Sequence, residues 1–255
     1  LATQGREPGS FNAVERLCYI GKRGMGALEF KPSLSRGRSG ASPIGVSHLV
    51  ELASEILTHR SSLATVFADR KDDEGVREIL RVGTSAGGAR AKAVIAWNPE
   101  TNEVKSGQAP APPGFEYWLM KFDGVSNNRD KELADPQGFG AVEYAYSRMA
   151  ADAGIMMMPC RLYEENRRRH FMTKRFDRTG EGGKKHMQSL AAMAHFDFNM
   201  AGAYGYERAI MIMRELGLDR DAIKQQFRRM VFNIVARNQD DHVKNIAFLM
   251  DRKGR

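Results

Sequence analysis

The sequence predicts a mixed α+β protein in which a strand-rich lobe precedes a helical lobe. Between about residues 80 and 175, short apolar runs alternate with turn signals, and only residues 140–153 have helical spacing. After a hinge-like loop that contains Asp177 and Gly180, the spacing becomes helical, most clearly at residues 222–237. A strand lobe with one crossing helix, followed by a helical lobe, is an α+β arrangement.

Each predicted element follows from a local pattern. Residues 1–40 contain one compact apolar stretch, which predicts a short helix, a glycine turn and a strand at 24–30. Residues 46–69 carry apolar residues at helical spacing and predict a helix, and Gly154 suits the position after the end of the helix at 140–153. The remaining predicted strands are 93–97, a return strand from residue 104, 115–122, the hairpin 156–163 and 168–176, and 246–250.

Two predicted helices have a distinct apolar face, and the better of them, at 222–237, is expected to be a core helix. In the helix at 140–153 that face consists of Val142, Tyr146, Met149 and Ala150. In the helix at 222–237 it consists of Ile223, Phe227, Met230, Val231, Ile234 and Val235, with basic residues on the outer side.

Composition excludes several classes of protein. Apolar residues are 42% of the 255, as in an ordinary globular protein, and no window approaches the ~18 uninterrupted apolar residues of a membrane span. No signal peptide is visible, and Cys18 and Cys160 are too few for a disulfide framework or a cysteine zinc site. A reducing cytosol is the simplest compartment. The net charge of +8 favours anionic partners such as nucleotides or nucleic acid, although direct nucleic-acid binding rests on that charge alone.

The segment from Val82 to Lys92 is a candidate phosphate loop. Small residues fill Gly83 to Ala89, so backbone N–H groups can approach an anion closely. The segment lacks the Walker A pattern and leads into a strand, as the glycine-rich loop of kinases does. An ordinary hairpin turn is the alternative.

Lys121 lies within the apolar strand sequence WLMKF. A buried lysine requires an anion or a carboxylate, and the phosphate-binding lysine of kinases lies on a strand in this way. The alternative is an edge-strand lysine facing water. Glu143 on the following helix could pair with Lys121, although a surface carboxylate is the simpler interpretation of Glu143.

The strongest motif is the polar loop between the helix at 222–237 and the strand at 246–250. Asp240 and Asn245 are five residues apart, the separation of the catalytic Asp and Asn in the kinase loop. A carboxylate can accept the proton of an attacking hydroxyl, an Asn carbonyl oxygen can bind Mg²⁺, and Lys244 could neutralise charge on the transferring group.

Other interpretations of this loop remain open. It could be a plain polar turn, or Asp240, Asp241 and His242 could bind a hydrolytic metal, although adjacent residues rarely point at one ion. The chain has no G-x-S-x-G motif of serine hydrolases, and residues 21–26 fit the dinucleotide-binding pattern poorly.

Taken together, the motifs resemble the HipA family, bacterial serine/threonine protein kinases that are the toxins of toxin–antitoxin pairs. The matching segments, in family order, are RLCYIGKRGMGALEF, VGTSAGGARAKAVI, WLMKFDG, VEYAYSRMAADAGI, HFMTKRFDR and RNQDDHVKNIAFLMD. The resemblance implies a two-lobed, protein-kinase-like fold. Its parts would be the end of an N-terminal subdomain at 1–40, a strand-rich N-lobe at 41–178 and the start of a helical C-lobe at 179–255.

The resemblance also implies roles for individual residues. Asp240 would be the catalytic base, assisted by Lys244, and Asn245 a Mg²⁺ ligand. Lys121 would hold the ATP phosphates, Lys174 and Phe176 would meet the adenine through their backbone, and Ser85 would be autophosphorylated to switch the kinase off. The full set assigned to ATP binding is Ser85, Ala86, Gly87, Gly88, Ala89, Lys92, Lys121, Lys174, Phe176 and His242.

ATP and Mg²⁺ are the cofactors that the resemblance implies. The implied partners are a translation-related protein substrate, such as an aminoacyl-tRNA synthetase, and a HipB-like DNA-binding antitoxin. DNA would be contacted indirectly, through that antitoxin. The resemblance implies no membrane partner and a cytoplasmic location. Both ends of the chain look cut, and we expect an incomplete C-lobe that lacks the family's second metal-binding Asp, since Asp251 follows the strand too closely. The alternative is therefore a catalytically dead kinase-like module that binds nucleotide or antitoxin without phosphoryl transfer.

Overall fold

The computed structural model describes residues 10–34, 45–47, 49–50, 91–108, 110–125, 138–179, 183–200 and 202–254. Its helices are α1 (Ala13–Ile20), α2 (Phe139–Asp152), α3 (Leu190–Met193), α4 (Tyr206–Glu215) and α5 (Arg220–Val235). Its strands are β1 (Lys92–Trp97), β2 (Val104–Ser106), β3 (Glu116–Lys121), β4 (Cys160–Glu165), β5 (Arg168–Lys174), β6 (His186–Ser189) and β7 (Ala247–Met250).

Five strands form one antiparallel sheet in the order β2-β1-β3-β5-β4. In its register Lys92 of β1 lies opposite Lys121 of β3, which lies opposite Phe171 of β5. Residues directly opposite each other in an antiparallel pair project from the same face of the sheet. The sheet therefore brings two lysines together at one end.

The main core lies on this sheet. Trp97 of β1 and Trp118 of β3 meet edge to face with ring centroids 5.7 Å apart, a favourable aromatic geometry. Five of the six residues of β1 are buried, because the strand is covered on both faces. Val46, Leu49 and Val50 join this core; most of the predicted helix at 46–69 lies outside the described residues.

A smaller unit follows, in which β6 and β7 pair antiparallel and pack with α3 and α4. Its core contains Leu190, Ala191, Ala209 and Val243. Strand β6 was not predicted, since the expectation after residue 178 was helix. The four residues of β6 show no clear alternation of apolar and polar side chains. They form a strand because β7, some 60 residues later, pairs with them.

Two further expectations about the strands need correction. Residues 24–30 form no strand; this segment is held by side chains of residues 175–184, as described below. The predicted hairpin is present, but its first strand begins at Cys160 rather than at residue 156.

The expected core face of α5 is wrong, and the apolar face of α2 is buried only at Ala150. In α2, Val142 and Met149 are each 50% exposed, whereas Gly140, Ser147 and Ala150 are buried. A Cβ on Gly140 would lie 1.8 Å from the Arg169 carbonyl oxygen, so α2 approaches the backbone of β5 through its small residues and turns its large ones away.

Helix α5 shows the same reversal. Its buried residues are Gln225 and Gln226, while Phe227 is 53% exposed and Ile234 65%. The Gln225 side chain donates to the Gly154 carbonyl at 3.1 Å and accepts from the Met156 N–H at 3.0 Å, so polar contacts select the inward face. No helix in the described ranges is long and apolar enough to cross a membrane. The domain boundaries at residues 40 and 178 stay a prediction.

Candidate active site

An ion pair joins the sheet to helix α2. Lys121, the last residue of β3, places Nζ 2.5 Å from Oε2 of Glu143, and both side chains are about one-quarter to one-third exposed. Lys121 Nζ also lies 5.9 Å from the centroid of the Phe171 ring. The surface interpretation of Glu143 is therefore wrong: α2 packs against β4 and β5 and presents this carboxylate to the lysine at the end of β3.

Lys92 lies beside this pair on the neighbouring strand. Burial and the adjacent charge of Lys121 lower the pKa of Lys92, while the charges of Glu143 and Asp240 oppose that shift. Two ammonium groups at one end of a sheet repel each other, and a polyanion between them would relieve that repulsion. The influence of Asp240 on Lys92 also indicates that the 240–245 loop lies within electrostatic reach of Lys92.

The 240–245 loop is held by its inward residues. Half-buried Asp241 accepts a hydrogen bond from Asn233 Nδ2 of α5 at 2.8 Å, and burial raises the pKa of Asp241. Val243 is buried in the smaller core, and its carbonyl accepts the N–H of Ala191 at the start of α3. Asp240, the residue before Asp241, points outward, and 89% of its side chain is exposed.

Asn245 closes the loop. Its Nδ2 donates to the Asp240 carbonyl at 2.5 Å and its N–H donates to the His242 carbonyl at 2.8 Å. Because the amide nitrogen is used within the loop, the amide oxygen is the atom that can serve a ligand. His242 lies beside Asp240, with Nε2 3.7 Å from Oδ1, and its Nδ1 accepts the N–H of Lys244 at 3.3 Å.

Lys244 is expected to neutralise charge on the transferring phosphoryl group, but in the structure its side chain contacts an aromatic ring. Its Nζ lies 3.4 Å above the centroid of the Phe198 ring, a cation–π contact with the segment between α3 and α4. Phosphate neutralisation by Lys244 would require this side chain to turn, which a long flexible lysine can do. That role stays a prediction.

A Mg²⁺ ion would find oxygen donors here but few protein ligands. No group of three or more His, Cys, Asp or Glu residues in the described part of the chain could hold a metal. Mg²⁺ usually keeps several waters and binds one or two protein oxygens together with substrate phosphates. The free oxygen of Asn245 and the exposed carboxylate of Asp240 fit that mode.

The hinge residues assigned to the adenine are Lys174, the last residue of β5, and Phe176, which follows that strand. The Lys174 N–H donates to the Pro159 carbonyl at 2.9 Å, and its Nζ lies 2.5 Å from Glu116 Oε1, so that N–H is not free for an adenine. The Phe176 side chain is 40% exposed. Ser85 to Ala89 lie outside the described residues, so the phosphate loop and the autophosphorylated serine stay predictions.

Sequence reasoning missed the residues that position α2. Buried Asp123 accepts the N–H groups of Gly138 and Gly140 at 2.9 and 3.4 Å, at the N-terminus of the helix, where a carboxylate is favoured. It also accepts the Arg169 N–H at 3.3 Å, and its own N–H donates to His170 Nδ1 at 2.9 Å. The signal was the acidic residue directly after the lysine strand, in WLMKFD.

The family of the chain follows from residues 84–255, which match the family model of the HipA-like C-terminal domain. That range includes both lysines, Glu143 and the whole 240–245 loop. The chain belongs to this family. The resemblance inferred from the sequence motifs is confirmed.

A solved structure with a similar fold is HipA from the Shewanella oneidensis MR-1 toxin–antitoxin complex of HipA, HipB and operator DNA. The TM-score is 0.61 at 16% sequence identity, and the match covers 98% of this chain. The predicted α+β, HipA kinase-like fold is thereby confirmed. The chain spans 56% of the length of that HipA. No curated protein matches the chain in sequence.

Proposed function

We propose that this HipA-family chain carries the nucleotide site and catalytic loop of an ATP- and Mg²⁺-dependent serine/threonine protein kinase. The observation that carries the proposal is the Lys121–Glu143 ion pair beside Lys92, together with the charge of Asp240, which acts on Lys92. A strand lysine paired with a helix glutamate and faced by an aspartate loop is the arrangement that phosphoryl transfer uses in kinases.

In this proposal Lys92 and Lys121 bind the ATP phosphates, and Asp240 is the base for the attacking hydroxyl. The oxygen of a Ser or Thr hydroxyl forms a bond to the γ-phosphorus, the bond from that phosphorus to the bridging oxygen breaks, and ADP leaves. Asp240 accepts the hydroxyl proton, and its 89% exposure makes it accessible to a protein substrate. Glu143 holds Lys121 in place for the phosphates.

Asn245 would hold Mg²⁺ together with the phosphate oxygens. When bound, Mg²⁺ neutralises charge on the phosphates. The chain's own contribution is to keep the Asn245 oxygen free by engaging its amide nitrogen at the Asp240 carbonyl.

The partners follow from the family and its structural neighbour. That neighbour is a HipA bound with HipB and operator DNA, and we infer a HipB-like antitoxin for this protein, with DNA contacted through it. The substrate class is a translation-related protein such as an aminoacyl-tRNA synthetase, and the location is the cytoplasm. We also propose that the toxin is switched off by its own phosphorylation on Ser85, because a phosphate there would repel the phosphates of ATP.

The test compares two aspartates of similar exposure, Asp240 at 89% and Asp221 at 86%. The chain is incubated with Mg²⁺-ATP, and its intact mass and phosphosites are recorded for wild type, Asp240→Asn and Asp221→Asn. Asp221 is 86% exposed on the outer side of α5. We expect phosphorylation in wild type and Asp221→Asn, and a rate at least about 100-fold lower in Asp240→Asn, the usual cost of losing a general base.

The non-catalytic alternative makes a different prediction. If the wild-type chain binds a fluorescent ATP analogue but gains no phosphoryl group on itself or on translation proteins, the kinase proposal is wrong and the binding module remains. Equal rates for Asp240→Asn and wild type would remove Asp240 from the mechanism.

A further inference from the structure

A buried ionic cluster joins the N-terminal segment to the hinge. Asp177 has no exposed side-chain surface, and it accepts hydrogen bonds from Arg175 Nε and Nη2 at 2.8 and 2.6 Å and from Arg178 Nη1 at 2.8 Å. The Gly26 N–H donates to the same carboxylate at 2.7 Å. Burial alone would raise the pKa of Asp177, but the hydrogen bonds and charges of these partners hold that pKa below its usual value. Such a buried charge is stable only while its partners stay in place.

The glycine loop at residues 24–26 is fitted to this cluster. Arg178 also donates to the carbonyls of Gly24 and Gly26 at 3.3 and 3.2 Å. Gly26 has φ +74°, and a Cβ there would lie 2.9 Å from the Met187 backbone nitrogen of β6. Only glycine combines that backbone conformation with so close an approach. The loop therefore contacts residues on both sides of the hinge.

The cluster determines the orientation of Phe176. Arg175 and Asp177 turn their side chains inward, at 5% and 0% exposure, while Phe176 between them is 40% exposed. The backbone is held as well, since the Arg175 N–H donates to the Tyr117 carbonyl at 2.9 Å and the Asp177 carbonyl accepts the Lys185 N–H at 3.1 Å. The glycine loop thus supports, from the buried side, the hinge residue that faces outward.

We propose that the Gly24–Gly26 loop and the Asp177 cluster are a clamp that positions Phe176 for the adenine of the nucleotide. This inference rests on the proposed function, because it requires the hinge to be the adenine end of an ATP site. It concerns the base and not the phosphates, which the lysines at the far end of β3 bind. Asp177 and Gly26 are positioning residues that act through Phe176.

The experiment separates binding of the base from binding of the phosphates. Dissociation constants for a fluorescent ATP analogue and for inorganic tripolyphosphate are measured for the full chain and for Asp177→Asn, which keeps the shape but removes the charge. We expect ATP to bind about tenfold more weakly in the variant, roughly the loss of one hydrogen bond, with tripolyphosphate unchanged. Weakening of both ligands to the same degree, or of neither, overturns the clamp.

A second pair of variants tests the same inference without touching the ions. Gly26→Ala pushes the loop against Met187, whereas Gly217→Ala, at φ +71° after α4, meets nothing within 4 Å. We expect Gly26→Ala, but not Gly217→Ala, to lose ATP affinity selectively, with thermal midpoints recorded for both. If Gly26→Ala is folded and binds ATP as wild type does, the clamp is wrong. If wild type binds neither ligand, the proposed nucleotide site itself fails, and the clamp fails with it.

Discussion

Acidification should destabilise this protein through His170, a residue on β5 with no exposed surface. Burial lowers the pKa of His170 from 6.5 to about 4, a shift that Asp123 opposes and Arg168 strengthens. The His170 Nδ1 accepts the Asp123 N–H, and the His170 ring contacts the rings of Phe122 and Tyr163. Protonation would place a donor against that N–H and a charge in an apolar environment.

The magnitude follows from the difference between the two pKa values. Below pH 6.5 the unfolded chain takes up a proton at His170 that the folded chain binds only near pH 4, so stability is lost as the pH falls through this window. A difference of about 2.5 pKa units corresponds to about 3 kcal/mol when fully developed, of which about 2 kcal/mol is lost between pH 7 and pH 5.

Urea unfolding at pH 7, 6 and 5 measures this loss. The matched variant is His170→Asn, whose side-chain oxygen can still accept the Asp123 N–H but does not titrate. We expect the variant to be less stable at pH 7, because the ring is lost, but to lose about 2 kcal/mol less than wild type on going to pH 5. If both proteins show the same dependence of unfolding free energy on pH, His170 is not the group that titrates and the reasoning is refuted.

The other predictions concern helix α2. Glu143→Gln should raise the KM for ATP about tenfold, since it removes the charge that holds Lys121, and steady-state kinetics with unchanged KM would contradict the pairing role. Gly140→Ala should cost about 2 to 3 kcal/mol of unfolding free energy, because its Cβ would meet the Arg169 carbonyl at 1.8 Å and force α2 away from β5; a midpoint in urea equal to that of wild type would contradict this packing.

The polar 240–245 loop and the strand lysine were recognisable in the sequence because their signals are local. Asp240 and Asn245 stand in one polar segment between an apolar helix and an apolar strand, and the structure ties them through a single side-chain hydrogen bond. Lys121 was recognisable as a charge within an apolar strand. Its pairing with Glu143 was only one of two interpretations, because the two residues are 22 positions apart and the packing of α2 against β4 and β5 brings them together.

By itself, the sequence determined the family, the positions of the main helices and strands, and the lysine strand and polar loop of the candidate site. Backbone periodicity and turn chemistry are properties of neighbouring residues, and they need no tertiary context. Only the tertiary structure decided which helix faces are buried, since Gly140 and Gln225 face inward for reasons of close approach and hydrogen bonding. It also decided that Gly26 meets Asp177 across 151 positions, because such a contact depends on where the folded chain returns.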